Sequence, residues 1–91
     1  MEMKIILSEK NVLEVDLGNA DLSLGQLLVE KINANKDVEF AACKKEHPII
    51  ANPKIIIRTK KTDPKKILLE AISEVTEEMN KFKKEFTQMV K

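Results

Sequence analysis

Tryptophan and tyrosine are missing from this 91-residue sequence, and phenylalanine occurs only three times. A core built from such a chain has to be aliphatic. The near-absence of aromatics also removes the stacking platforms on which single-stranded nucleic acids are usually held. Cys43 is the only cysteine, so no intrachain disulfide is possible, as suits a reducing cytoplasm. With one histidine, His47, the chain cannot supply a His/Cys zinc site of ordinary spacing. There is no glycine-rich phosphate loop. No apolar run approaches the roughly 18 residues of a membrane span. The opening MEMKIILSEKNV has too short an apolar stretch, and no cleavage-site pattern, for a signal peptide. A cytoplasmic location is expected.

What is present is charge in balance. Sixteen basic residues face fifteen acidic ones, a net charge of +1. Proteins whose main task is gripping nucleic acid usually carry a strong basic excess. All the cations but Arg58 are lysines, whereas bidentate phosphate and guanine contacts favour arginine. The densest basic cluster, RTKKTDPKK at 58–66, has no interleaved aromatic residue and reads as a solvated strand end and helix start. At this length the chain is one domain, residues 1–91, and a domain so small has a thin stability margin.

The periodicities give an order of elements. MKIILS at 3–8 and VLEVDL at 12–17 read as strands, the second with Leu13, Val15 and Leu17 alternating with Glu14 and Asp16. Glu9-Lys10-Asn11 suits the hairpin turn, and Gly18-Asn19 ends the second strand. A helix starts with Ser23 as N-cap, Gln26 completing a capping box, and Leu22 stapling onto Leu27. Leu24, Leu27, Leu28 and Ile32 form its apolar stripe, which fades at Asn33-Ala34-Asn35. VEFAACK at 38–44 is a third strand, expected to carry Val38, Phe40 and Ala42 on one face. A loop with two prolines, HPIIANP, leads to a fourth strand, KIIIRTK, at 54–60. Asp63-Pro64 then opens a long helix, capped by a carboxylate with proline in first place. The predicted fold is α+β, in the order ββαββα: a four-stranded, mainly antiparallel sheet with both helices on one face.

Two features point to a partner. The last helix, Pro64 to about Val90, spans roughly 40 Å, whereas a seven-residue strand spans about 23 Å. Its apolar stripe nevertheless continues through Val75, Met79, Phe82, Phe86 and Met89, well past the sheet. An apolar strip of that extent marks an interface. Gly25 is the second feature. Glycine inside a helix costs about 1 kcal/mol relative to alanine, and its use is to let another chain segment approach closely. That segment is either in this domain or in a partner.

Chemistry is hard to find. His47 enters a loop before Pro48, Cys43 lies among small and apolar residues, and Ser23 has the position of a cap rather than a nucleophile. Glu70, Glu74, Glu77 and Glu78 fall on the polar side of an amphipathic helix. No catalytic, cofactor-binding or metal-ligating set emerges. Two further readings are a stand-alone nucleic-acid-binding module using Lys60, Lys61, Lys65 and Lys66, and a small enzyme of the same topology.

The ordered motifs resemble one family. Asp21-Leu22-Ser23-Leu24-Gly25-Gln26-Leu27-Leu28 is similar to the α-motif Asp-His-Thr-Leu-Gly-Asn-Leu-Leu of the small α-like subunit L of archaeal RNA polymerase. Val38-Glu39-Phe40-Ala41-Ala42-Cys43 followed by His47-Pro48 resembles that family's Val-x-Phe-Ala-Gly-Tyr and His-Pro. A lysine-isoleucine strand and a proline-initiated long helix complete a likeness covering about residues 3–88. The departures are Leu22, Ser23, Gln26, Ala42 and Cys43. The resemblance implies a subunit with no enzymatic activity and no cofactor of its own. It implies a heterodimer, formed through the helices with the larger α-like polymerase subunit (called D in archaea), as in the bacterial α dimer. That pair is then the platform for the large catalytic subunits and further small subunits. Carried over from the motif, Leu24, Gly25, Leu27, Leu28 and Ile32 are interface candidates, with Gly25 expected in a four-helix core between the two chains. Val75, Met79, Phe82 and Phe86 join them on stripe position. Self-pairing of the isolated chain through the same face, as a homodimeric accessory protein, is left open.

Overall fold

The fold was obtained as a computed structural model that describes residues 3–18, 22–45 and 52–90. The element order is β1 (Lys4–Ser8), β2 (Val12–Asp16), α1 (Leu22–Asn33), β3 (Val38–Lys44), β4 (Lys54–Thr59) and α2 (Pro64–Met89). The four strands make one sheet in the order β1-β2-β4-β3, every neighbouring pair antiparallel. His47, Pro48 and most of the expected HPIIANP loop lie outside the described residues, as do Asn19 and Asp21.

The alternation in β2 works as its sequence suggests. Leu13, Val15 and Leu17 are buried, while Glu14 and Asp16 point the other way and are half-buried. In β4, Ile55 and Ile57 are fully buried and Ile56 turns to the opposite face. Leu28 and Ile32 of α1, and Ile67, Leu68, Ala71 and Val75 of α2, join the buried β2 and β4 residues and Ala41 in one aliphatic cluster. Both helices therefore cover the same side of the sheet. The β1–β2 turn is closed by the Glu9 N–H donating to the Val12 carbonyl at 2.8 Å. Gly18 follows β2 at φ 66°, a left-handed conformation that favours glycine, and its N–H donates to Asp16 Oδ1 at 2.7 Å.

Two local expectations are corrected. Helix α1 begins at Leu22, so Ser23 lies inside the first turn and is not the N-cap. Both the Ser23–Gln26 capping box and the Leu22–Leu27 staple assume that Leu22 precedes the helix, whereas α1 includes it. Asp21, which precedes α1 in the sequence, lies outside the described residues. Aspartate and serine are equally good caps, so the sequence offers two starts. In β3 the register shifts between Val38 and Phe40, a bulge. Val38 pairs with Thr59 and packs against the core, whereas Phe40 pairs with Arg58 on the opposite face, beside Ala42. The three do not share a face.

Asp37 ties the α1–β3 connection to the β4–α2 connection. Its carboxylate accepts from the N–H groups of Thr62 at 2.6 Å and Lys61 at 3.2 Å, and its carbonyl accepts from Lys60 N–H at 2.9 Å. The Thr62 and Lys61 amides hold the Asp37 carboxyl below the ordinary aspartate range. Helix α2 then starts as expected: Asp63 is the N-cap, accepting from Lys65 N–H at 3.0 Å, with Pro64 buried behind it.

Candidate interaction surface

Helix α2 has 26 residues, a length of roughly 39 Å at 1.5 Å per residue. Its last buried residue is Val75; every described residue from Thr76 onward is exposed. The amphipathic pattern does not stop there. Met79 is 61% exposed, Phe82 71% and Met89 80%, with Phe86 and Val90 also in the open. Met79, Phe82, Phe86 and Met89 recur at helical spacing on the line that Ala71 and Val75 begin. The molecule is accordingly elongated, 48 × 33 × 17 Å with a radius of gyration of 14.4 Å, against roughly 12 Å for a compact chain of this length.

The stripe opens into a groove between the two helices. An apolar hollow of about 630 Å³ is lined by Leu24, Leu27 and Leu28 of α1 and by Ile72, Val75 and Met79 of α2, with Met3 at its end. A second hollow runs on from it along α2, past Leu27, Met79 and Phe82. Lys31 at the end of α1 pairs with Glu78 of α2, a solvent-exposed ion pair that links the two helices. The Glu78 hydrogen bond holds the Lys31 ammonium above its ordinary range.

The residues singled out from the sequence therefore divide. Leu27, Met79, Phe82 and Phe86 are exposed on one continuous surface, and half-buried Leu24 lines it from within. Leu28 and Val75 are buried in this chain's core yet form the floor of the groove. Ile32 is wholly buried. Gly25 is corrected outright: it faces this chain's own sheet. A Cβ added there would overlap Cys43 Sγ and lie 3.1 Å from Leu17 Cδ1. The close approach that the glycine permits comes from β3 of the same chain. Sequence reasoning did not single out Met3 and Ile72 as lining residues; their pattern signals are a strand start and a position at the edge of the helix stripe.

Burial pushes the Cys43 thiol up, away from the reactive thiolate. Among the described residues, no group of three or more His, Cys, Asp or Glu side chains is gathered to hold a metal. Lys60, Lys61, Lys65 and Lys66 are exposed around the α2 start, interleaved with Asp63 and with the Asp37 anchor. No described helix is long and apolar enough to cross a membrane.

Known proteins share this arrangement. Residues 12–85 match the RNA polymerase Rpb3/Rpb11 dimerisation domain. The DNA-directed RNA polymerase subunit Rpo11 of Methanococcus maripaludis (strain C5) is 36% identical, over 91% of this chain and 96% of that relative. Rpo11 of Thermoplasma acidophilum is 34% identical, over 92% of this chain and 79% of that one. The crystal structure of DNA-directed RNA polymerase subunit L from Thermoplasma acidophilum superposes with a TM-score of 0.82 at 29% identity, covering 96% of this chain and 86% of that one. An elongated α+β domain with an uncovered apolar helix face, matched over most of its length, belongs to the Rpb3/Rpb11 dimerisation-domain family of RNA polymerase subunits.

Proposed function

We propose that this chain is a non-catalytic assembly subunit of a DNA-directed RNA polymerase, and that it pairs through the α1–α2 side with the larger α-like subunit, the one called D in archaea. The pair then receives the large catalytic subunits and other small subunits. The observation that carries this reading is the apolar stripe Met79–Phe82–Phe86, exposed on a helix that outruns its own core and continuous with the α1–α2 groove. A surface of that kind is stable in water when another chain covers it. The reading is supported by the family match over residues 12–85.

The test is co-expression with the larger α-like subunit of an archaeal polymerase, followed by size-exclusion chromatography with light scattering. A one-to-one complex is expected. Phe82→Ser should weaken it by about tenfold or more, which is about 1.4 kcal/mol. Two separate peaks with the wild-type chain would overturn the reading.

A further inference from the structure

The sheet has a second face, turned away from both helices. A water-facing side of an antiparallel sheet is ordinarily polar. Here one cross-strand row reads Leu7, Glu14, Ile56, Ala42, apolar at every position but one. Phe40 stands on the same side, 52% exposed. The next row reads Lys4, Asp16, Lys54, Lys44. Lys44 and Lys54 lie directly opposite each other in this row. The two features meet in a shallow hollow of about 190 Å³, with Phe40, Ala42 and Ile56 as its apolar floor and Lys44, Lys54 and Glu14 at its rim.

We propose that this open face is a second protein-docking surface, which takes an acidic polypeptide segment presenting one bulky apolar side chain. The apolar side chain fills the floor, and a flanking carboxylate sits against Lys44. Charge selects this occupant. Among the described residues paired across this face, Lys4, Lys44, Lys54 and Arg58 outnumber Glu14 and Asp16, with Glu39 at the β3 bulge beside them, so a second copy of the chain would bring lysine against lysine. A single-stranded nucleic acid would meet one aromatic ring and the two carboxylates in the middle of the sheet, which is no stacking platform. The face is opposite the helix groove, so both can be occupied together. Naming the segment's source as a polymerase subunit other than the helix-side partner rests on the assembly reading above.

Two experiments test it. In the first, the ¹⁵N-labelled chain is titrated with the peptide acetyl-Asp-Asp-Leu-Phe-Glu-Asp-amide. Saturable amide shifts are expected at 40–44 and 54–58, weakened about tenfold in Lys44→Glu, and absent with a peptide bearing Lys at the acidic positions. No shift at about 1 mM peptide, or an oligouridylate that shifts the same amides at lower concentration, overturns the proposal. In the second, the Phe40→Thr, Lys44→Glu double variant is taken through stepwise polymerase reconstitution. It should keep the wild-type thermal midpoint and bind the larger α-like subunit as wild type does, but retain the remaining subunits about tenfold less well. Full assembly of the double variant overturns the proposal. Failure of the wild-type chain to bind the larger α-like subunit refutes the assembly reading instead, and the peptide titration then decides the docking surface by itself.

Discussion

Gly25 and Cys43 are two halves of one packing decision. The Cys43 Sγ occupies the space a Cβ at position 25 would need. Alanine improves helix propensity by about 1 kcal/mol, but overpacking a filled site costs about 1–3 kcal/mol. Gly25→Ala is therefore expected to lower the urea midpoint. Gly25→Ala combined with Cys43→Ala should recover much of that loss, a coupling that a double-mutant cycle reads directly. Asp37 gives a prediction in pH. Its folded carboxyl titrates below the unfolded one, so its contribution is present above the ordinary aspartate range and is lost as the pH falls through the folded value. Urea midpoints measured from pH 7 to pH 3 should drop on the acid side. Asp37→Asn should be less stable at pH 7 and show a shallower acid decline. Neither partnership is legible locally. Gly25 and Cys43 are eighteen residues apart in the chain, Asp37 and Thr62 twenty-five, and no periodicity reports which residue waits opposite.

Elements whose signals are local were readable, and the reasons differ from one to the next. The alternation of β2 held because one side of that strand faces an aliphatic core. Asp63-Pro64 marked the α2 start because proline and an N-cap carboxylate act on the same turn. The β3 bulge was invisible, since one extra residue changes facing without changing composition; it sends Val38 inward and leaves Phe40 outside. The α1 start was ambiguous between two nearby capping residues. Within α2, the boundary between core and free surface falls just after Val75, and substitutions on its two sides should behave differently. Val75→Ala is expected to cost about 1–3 kcal/mol. Phe86→Ser should change stability by no more than about 0.5 kcal/mol, while weakening binding of the larger α-like subunit. Thermal melts and a binding titration on the same two variants separate the effects.

At the scale of the whole molecule, the apolar material of the described residues is arranged in three places: an aliphatic core, the helix-side groove with its stripe, and the open sheet face. The core is small, as a chain of this length requires, and the candidate surfaces were only partly legible because a helix stripe looks the same whether it is covered by the chain's own sheet or by another chain. Covering the stripe should give pairing with the larger α-like subunit a negative heat-capacity change, measurable by calorimetry at several temperatures. A temperature-independent enthalpy would argue that polar contacts dominate instead. The overlong α2 also bears on time. From Thr76 onward its turns rest on little but their own backbone bonds, and isolated helices of about that length are marginal in water. Amide protons before Val75 should exchange only when the domain opens, and those after it much sooner, in a gradient along one continuous helix. The partner, on arrival, would finish a helix that this chain can begin but not hold still, and part of the binding free energy would go into arresting that motion.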